Sequence, residues 1–194
     1  MVWNIERTKR LLLDAAVAEF CERGLAGARI DRIAANAGVN KERIYQYFGK
    51  KDQLFAIAVS REVAELTDAV HLEGEGPQAV IDYAERLFDH TCKTPTLARL
   101  LLWEGLELGN PVAEPERRAS MRVKIADIRR AVPGLTEDLA RELLLTILSL
   151  CYSWQALSTI DGLAKDNPAP GGSRQRQRRA AIGRFVAGAL VGVS

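Results

Sequence analysis

The sequence predicts an all-α protein of about nine helices, and three observations support this prediction. Apolar residues recur at helical spacing along most of the chain. No run of alternating β-branched residues bounded by turn residues indicates a strand. All seven prolines follow residue 76 and divide the rest of the chain into segments of helix length. A hydrophobic content of 47% is ample for a core in a chain of 194 residues.

The segment from Ile30 to Phe55, IDRIAANAGVNKERIYQYFGKKDQLF, predicts two short helices joined by a tight turn. The first of them has apolar residues at the i, i+3, i+4 and i+7 spacing of a helix buried on one face. Gly38 favours the left-handed backbone that ends a helix, and Asn40 is a good N-cap for the next one. The second helix buries Ile44 and leaves cationic, amide and phenol side chains on its other faces. This pattern is typical of a helix-turn-helix, whose second helix enters a DNA major groove.

The other helix boundaries follow from apolar spacing, glycines and prolines. A first helix is predicted over about Ile5–Arg23, where Gly24 ends it, and a fourth over about 52–70. Later helices are predicted over about 77–92, 95–108, 114–131, 136–164 and 174–191, with a loop at 168–172.

Charge is unevenly distributed along the chain, whose formal net charge is only +2. Residues 1–51 hold ten Lys and Arg against six Asp and Glu, and the remainder carries a net charge of −2. A basic N-terminal segment on a near-neutral remainder suits a DNA-binding head on a larger body. We therefore expect a helix-turn-helix DNA-binding domain over residues 1–51 and a second helical domain over residues 52–194.

The first quarter to third of the chain resembles the DNA-binding domain of the TetR family of bacterial transcriptional regulators. The family pattern is approximately IA-x-x-AGVS-KG-x-LY-x-HF-x-SK-x-x-LF, and this chain has IAANAGVNKERIYQYFGKKDQLF. Upstream, LLLDAAVAEFCERGLAG resembles the first helix of the family. Two positions depart from the pattern, because Glu42 stands where Gly or Pro is usual and Arg43 where a small residue is common. These departures suggest an operator of unusual sequence.

The resemblance implies that residues 40–48 form the recognition helix. In the family, the residue at the position of Tyr45 commonly contacts a phosphate, and the residue at the position of Tyr47 contacts a base or a phosphate. The residue at the position of Lys51 contacts a phosphate. On side-chain chemistry alone, Lys41 and Arg43 are suited to phosphates or to guanine edges, and Gln46 is suited to adenine. The predicted DNA-binding residues are Arg29, Asn40, Lys41, Arg43, Tyr45, Gln46, Tyr47 and Lys51.

The resemblance also implies a small-molecule effector that binds within the second domain and changes the spacing of two DNA-binding heads. Aromatic and apolar walls with a few polar groups are typical of drug-sized pockets. Trp103 beside Glu104 and Glu107 suggests a cationic ligand. The predicted pocket residues are Tyr83, Leu87, Cys92, Leu100, Trp103, Glu104, Glu107, Met121, Ile125, Cys151 and Trp154.

The last two predicted helices favour contact with a second copy of the chain. Apolar residues of the predicted 136–164 helix follow the alternating four- and three-residue spacing of a coiled-coil seam. In the family, the last two long helices of each subunit form a four-helix dimer interface, so the resemblance implies a homodimer. A purely intramolecular core would give the same spacing. The predicted interface residues are Leu143, Ile147, Leu150, Trp154, Leu157, Ile182, Phe185, Val186 and Ala189.

Several features argue against catalysis, cofactors and membrane insertion. Only two histidines are present, and no phosphate-binding loop, nucleophile elbow or metal-ligand spacing occurs. No apolar run indicates an export signal or a transmembrane span, so we expect a cytoplasmic protein. The three cysteines lie far apart without a CxxC pair, which favours reduced thiols.

The sequence therefore predicts a regulator that binds double-stranded operator DNA, in particular a ligand-responsive repressor acting as a homodimer on a palindrome. One alternative is a thiol-responsive regulator that uses Cys92 or Cys151. Another is a small-molecule-binding helical protein with a repurposed DNA head. The basic segment SRQRQRRAAIGR, which starts at Ser173, predicts a solvated helix start, with a second nucleic-acid patch as its alternative.

Overall fold

The protein is built of α-helices, and no β-strand occurs among residues 5–161, 163 and 171–192, which the computed structural model describes. The predicted all-α class is confirmed. The helices are α1 (Ile5–Gly27), α2 (Ile30–Ala37), α3 (Glu42–Phe48), α4 (Lys51–Ala69), α5 (Gly76–Lys93), α6 (Thr96–Glu107), α7 (Glu114–Ala131), α8 (Glu137–Tyr152), α9 (Trp154–Asp161) and α10 (Gly171–Leu190).

The helix predicted over 136–164 is interrupted at Ser153, between α8 and α9. A continuous helix would pair the Leu150 carbonyl with the Trp154 N–H. Instead, this carbonyl accepts a hydrogen bond from Arg178 Nη2 at 3.2 Å. The part of the prediction beyond Leu163 lies outside the described residues.

The loop predicted over 168–172 is wrong at its end, because Gly171 and Gly172 begin α10. Pro168 and Pro170 lie outside the described residues.

The predicted turn between α2 and α3 is confirmed. Gly38 has a φ of +64°, and its N–H donates to the Ala35 carbonyl at 3.1 Å. The Asn40 side chain accepts a hydrogen bond from the Glu42 N–H at 3.2 Å, as expected of a residue that caps a helix. Local chemistry therefore fixes where α2 ends and where α3 begins.

The described residues divide into two compact units. The first unit lies within residues 1–65 and 99–117, and the second within residues 66–98 and 118–194. The first unit therefore contains the three N-terminal helices, most of α4 and the C-terminal part of α6.

The core of the first unit determines which face of α3 points outward. Phe20 of α1 and Phe55 of α4 meet edge to face, with ring centroids 5.1 Å apart. Ile33 of α2 and Ile44 of α3 are fully buried in the same cluster. Because Ile44 faces this core, the polar residues on the opposite side of α3 face solvent.

The second unit has its own apolar core, to which α5, α7, α8 and α10 contribute. Its largest fully buried side chains are Leu87, Phe88, Ile128, Leu144 and Ile147.

Arg179 of α10 pairs with Glu85 and Asp89 of α5, at 2.6 and 2.9 Å. The prediction that this basic segment is simply solvated is therefore wrong for Arg179, and also for Arg178, which binds the α8 backbone.

We expect Gly24→Ala to lower the free energy of unfolding by about 2 kcal/mol or more. Gly24 has φ +68° and ψ −178°, a conformation that costs other residues roughly 1–3 kcal/mol. An added Cβ would also lie 2.8 Å from Cε3 of Trp103. Urea unfolding followed by circular dichroism measures the loss.

The control for this prediction is Gly27→Ala. An added Cβ at Gly27 meets only the Arg23 side chain, at an ordinary contact distance of 3.4 Å. We expect a change below about 0.5 kcal/mol. Equal losses in the two variants would contradict the assignment of Gly24 as the constrained position.

Candidate nucleic-acid interface

The outward face of α3 carries the side chains predicted to recognise DNA. Arg43, Tyr45 and Gln46 are exposed, with 54% of Tyr45 accessible to solvent, whereas Ile44 is fully buried. Tyr47 is half-buried at the edge of this face. The sequence therefore predicted the exposed face of this helix correctly.

Three of these side chains form a connected group. Arg43 Nη1 donates to Gln46 Oε1 at 2.9 Å and to the Tyr47 hydroxyl at 3.4 Å. The guanidinium carbon lies 5.9 Å from the centroid of the Tyr47 ring, within cation–π range. These three side chains therefore contact one another on the polar surface of α3.

Lys9 of α1 belongs to the same surface, and sequence reasoning missed it. Its Nζ lies 5.8 Å from the centroid of the Tyr47 ring. Because the two residues are far apart in the chain, only the packing of α1 brings them together. The interface therefore gains a cation from outside the helix-turn-helix.

Two predicted DNA-binding cations already have partners within the first unit. Lys41 forms an ion pair with Asp31 of α2 at 3.2 Å, and this hydrogen bond raises the pKa of Lys41. Lys51 Nζ donates to the Ala28 carbonyl at 3.2 Å. An ammonium group has three donors, so both lysines keep donors for phosphate oxygens.

The remaining two predicted residues also support the fold. Asn40 caps α3 with its side chain. Arg29 has an exposed side chain, while its backbone N–H donates to a carboxylate oxygen of Glu19 at 3.0 Å.

Glu19 of α1 is the buried group that positions the start of α2. Only 4% of it is exposed, and Oε1 accepts hydrogen bonds from the Arg29 N–H and from Arg32 Nε at 2.8 Å. Burial acts to raise the pKa of Glu19, but the Arg32 and Arg29 hydrogen bonds hold it below its ordinary value of 4.5. The ionised carboxylate is therefore the form that the fold stabilises.

The turn between α1 and α2 starts at Gly24, whose backbone is not helical, and so includes the last residues of α1. Over residues 24–29 it is held by side chains from elsewhere in the first unit. Glu107 of α6 accepts a hydrogen bond from the Ala26 N–H at 2.9 Å. Arg32 Nη2 donates to the Gly27 carbonyl at 2.7 Å. With the Lys51 bond to the same turn, these contacts satisfy backbone groups that α1 and α2 leave unpaired at their ends.

The predicted pocket residues fall into two groups. In the first unit, the Trp103 indole donates to the Cys21 carbonyl at 3.2 Å, and Glu104 accepts a hydrogen bond from Arg117 at 2.6 Å. Their polar groups, like the Glu107 carboxylate, therefore have partners within the protein. The members in this unit are Leu100, Trp103, Glu104 and Glu107.

The other predicted pocket residues surround or belong to the core of the second unit. Lys124, which sequence reasoning missed, lies beside them, with Nζ 5.5 Å from the Tyr83 ring and bonded to the Val70 carbonyl at 3.0 Å. Burial lowers the pKa of Lys124 and raises that of Tyr83. The members in this unit are Tyr83, Leu87, Cys92, Met121, Ile125, Cys151 and Trp154.

The surroundings of the cysteines do not favour the thiol-responsive alternative. Burial raises the pKa of Cys151 to about 12 and that of Cys21 to about 11, and it also raises the pKa of Cys92. The thiolate is the reactive form of cysteine, so these thiols are weak nucleophiles at neutral pH.

The predicted dimer residues divide between the core and the surface of the second unit. Leu143, Ile147, Ile182 and Val186 are buried inside it, so much of the seam spacing in α8 marks an intramolecular core. Leu150 and Trp154 are partly buried. Leu157, Phe185 and Ala189 are exposed.

Within residues 5–161, 163 and 171–192, no cluster of three or more His, Cys, Asp or Glu side chains is suited to hold a metal ion. None of the helices in this part of the chain combines the length and apolar character needed to cross a membrane.

Two family models match the chain. Residues 12–58 match the model of the bacterial regulatory proteins of the tetR family, and residues 80–187 match the tetracyclin repressor-like C-terminal domain. The chain belongs to the TetR family. This confirms the resemblance found in the sequence and makes the protein a DNA-binding transcriptional regulator.

Named relatives and a solved structure agree with this assignment. The HTH-type transcriptional repressor SCO4008 of Streptomyces coelicolor is 42% identical over 126 residues, which span 64% of each chain, just under two thirds. The repressor Rv3405c of Mycobacterium tuberculosis is 32% identical over 151 residues, 77% of this TetR-family chain and 73% of the relative. The crystal structure of SCO4942 from Streptomyces coelicolor, described as a transcriptional regulator, has a TM-score of 0.73 at 32% identity and covers 92% of this chain and 96% of that one.

We expect Glu19→Gln to lower the free energy of unfolding by about 1–3 kcal/mol at pH 7, because it leaves the Arg32 guanidinium without its carboxylate partner. Since the pKa of Glu19 is lower in the folded than in the unfolded chain, its contribution is complete above pH 4.5 and is lost as the pH falls through the folded pKa. The difference from wild type should therefore shrink below about pH 4.

Urea unfolding at a series of pH values tests this expectation, with Glu22→Gln as the control. The Glu22 side chain is 65% exposed and pairs with Arg23 at the surface. Its replacement should change stability by less than about 0.5 kcal/mol at every pH. A pH-independent loss in Glu19→Gln would refute the assignment of an ionised buried carboxylate.

Proposed function

We propose that this regulator is a cytoplasmic repressor that binds a palindromic operator as a homodimer and is released by a small-molecule effector. Residues 1–51 contact the DNA, and residues 52–194 carry the effector site and the dimer surface. The observation that supports this most strongly is the outward polar face of α3, with Arg43 and Gln46 exposed over a buried Ile44. The names of SCO4008 and Rv3405c support repression as the output.

The proposed contacts are of two kinds, those with phosphates and those with base edges. The proposed phosphate contacts set the orientation of the DNA-binding domain, and they are made by Arg29, Tyr45 and Lys51. Side chains on the centre of the α3 face meet base edges in the major groove. Two such heads read half-sites about one helical turn or slightly more apart.

The proposed dimer surface consists of the outward faces of α8 and α10. Phe185 of α10 is 64% exposed, and Leu145 of α8 is also exposed. Ala189, one turn after Phe185, leaves room for a facing helix. Contact of these faces with those of a second copy would cover apolar surface and give a two-fold symmetric pair.

The proposed effector site lies in the second unit, beside Tyr83, Met121 and Ile125. Lys124 supplies a half-buried ammonium group among largely apolar neighbours. The effector stabilises states of the protein that do not bind the operator, and so shifts the population away from DNA.

Selection of binding sites from random duplex DNA, at two salt concentrations, tests the proposal. We expect a palindromic consensus and an affinity that falls steeply with salt, because phosphate contacts release counterions. A consensus with a single unrepeated half-site would contradict the dimeric repressor. Failure of well-folded protein to enrich any sequence would favour a repurposed DNA head.

We expect Lys51→Ala to weaken binding to all duplexes by roughly 3- to 10-fold and to reduce the salt slope by about 1. A phosphate contact carries charge but no sequence information, so the consensus should not change. Fluorescence anisotropy at several salt concentrations measures both quantities.

Lys93→Ala is the matched control for Lys51→Ala, since Lys93 is an exposed lysine of the second unit. Its affinity and salt slope should equal those of wild type. If Lys51→Ala lowers affinity but leaves the salt slope unchanged, Lys51 acts only through its bond to the Ala28 carbonyl.

We expect Phe185→Glu to convert the dimer to a monomer, because a carboxylate replaces an apolar side chain at the centre of the proposed surface. Operator affinity should fall at least about tenfold once the two heads are no longer linked. Sedimentation equilibrium measures the mass. Val123→Glu, at a 57% exposed position of α7, is the control and should remain dimeric. Dimeric Phe185→Glu would refute the proposed surface.

A further inference from the structure

The side chains on the outward face of α3 are hydrogen-bonded to one another in a definite order. Arg43 is the donor, and its acceptors are Gln46 Oε1 at 2.9 Å and the Tyr47 hydroxyl at 3.4 Å. The acceptors lie three and four residues further along the helix, where side chains of a helix meet. Both bonds come from the same nitrogen of Arg43, Nη1.

This arrangement leaves one edge of the guanidinium for a ligand. Nε and Nη2, which are not used in these bonds, are parallel donors on that edge. Guanine presents two acceptors in the major groove, O6 and N7, and a guanidinium binds them with two such donors. Arg43 therefore has the donor geometry of a guanine reader.

The same bonds change the role of Gln46. An amide that reads adenine accepts from N6 and donates to N7 at the same time. Arg43 Nη1 already donates to the amide oxygen of Gln46. This bond places Gln46 to orient Arg43, while the amide oxygen keeps a second lone pair.

Lys41, the other cation near the start of α3, has a charged partner. Lys41 pairs with Asp31 of α2 at 3.2 Å, whereas the partners of Arg43 among the described residues are neutral groups of its own helix. The Tyr47 ring lies beside the guanidinium, with its centroid 5.9 Å from the guanidinium carbon.

We propose that Arg43 reads one guanine in each half-site of the operator, and that Gln46 and Tyr47 are positioning residues for its guanidinium. The inference rests on the proposed insertion of α3 into the major groove. It predicts a G·C pair at one position of each half-site, in addition to the palindrome proposed above.

The test is selection from random duplex DNA with wild type, Arg43→Lys, Gln46→Met and Gln46→Glu, after thermal unfolding shows that all four fold. Arg43→Lys keeps the charge but loses the paired donors. Gln46→Met removes the acceptor of Arg43 and keeps the length of the side chain. Gln46→Glu keeps an acceptor for Arg43 and adds a negative charge.

We expect wild type to enrich guanine at one position of each half-site. In Arg43→Lys, the preference for guanine at that position should fall by about tenfold, with the other positions unchanged. In Gln46→Met, the same preference should fall to a smaller extent. Gln46→Glu should retain the guanine and bind all duplexes more weakly, because its carboxylate repels phosphates.

Two outcomes would overturn the inference while leaving the proposed recognition intact. If Gln46→Met and Gln46→Glu both alter the preference at a position other than the guanine, then Gln46 reads that base itself. If Arg43→Lys retains the same consensus and changes only the affinity, then Arg43 contacts phosphate. A wild-type selection without any palindrome would overturn the proposed recognition, and the inference with it.

Discussion

The buried Glu19 carboxylate is the interaction on which the DNA-binding surface depends most. It joins α1 to the start of α2 through the Arg29 N–H and the Arg32 guanidinium. Helices as short as α2 and α3 have little stability alone, so their positions come from contacts with the rest of the unit. From this anchor, the Gly38 turn fixes where α3 begins, and the outward face of α3 follows from the burial of Ile44.

The parts of this unit that the sequence predicted are those controlled by neighbouring residues. Gly24, Gly38 and Asn40 act within a few residues of their own position, through backbone conformation and capping, so their roles were visible in the sequence. The contacts of Lys9 and Glu107 join distant parts of the chain, and spacing cannot reveal them. Glu107 was predicted to line a pocket because the sequence shows that this helix carries a carboxylate. It does not show which group the carboxylate bonds to.

The second unit shows a different limit of sequence interpretation. Apolar residues three and four positions apart indicate that one face of a helix is covered. They do not indicate which element covers it. The neighbours of α8 include α5 and α10 of the same chain. Leu143 and Ile147 are buried in the core to which these helices contribute. Phe185 is the informative exception, because its large apolar side chain lies on α10 outside this core. Burial in the fold, and not spacing, therefore separates core positions from candidate interface positions.

Methylation interference on the selected operator tests whether α3 recognises DNA in the major groove. Dimethyl sulfate methylates guanine N7 in the major groove and adenine N3 in the minor groove. We expect methylation of two guanines, one in each half-site and related by the two-fold axis of the operator, to prevent binding. Interference confined to adenines, or to one half of the site, would contradict major-groove recognition by two copies of α3.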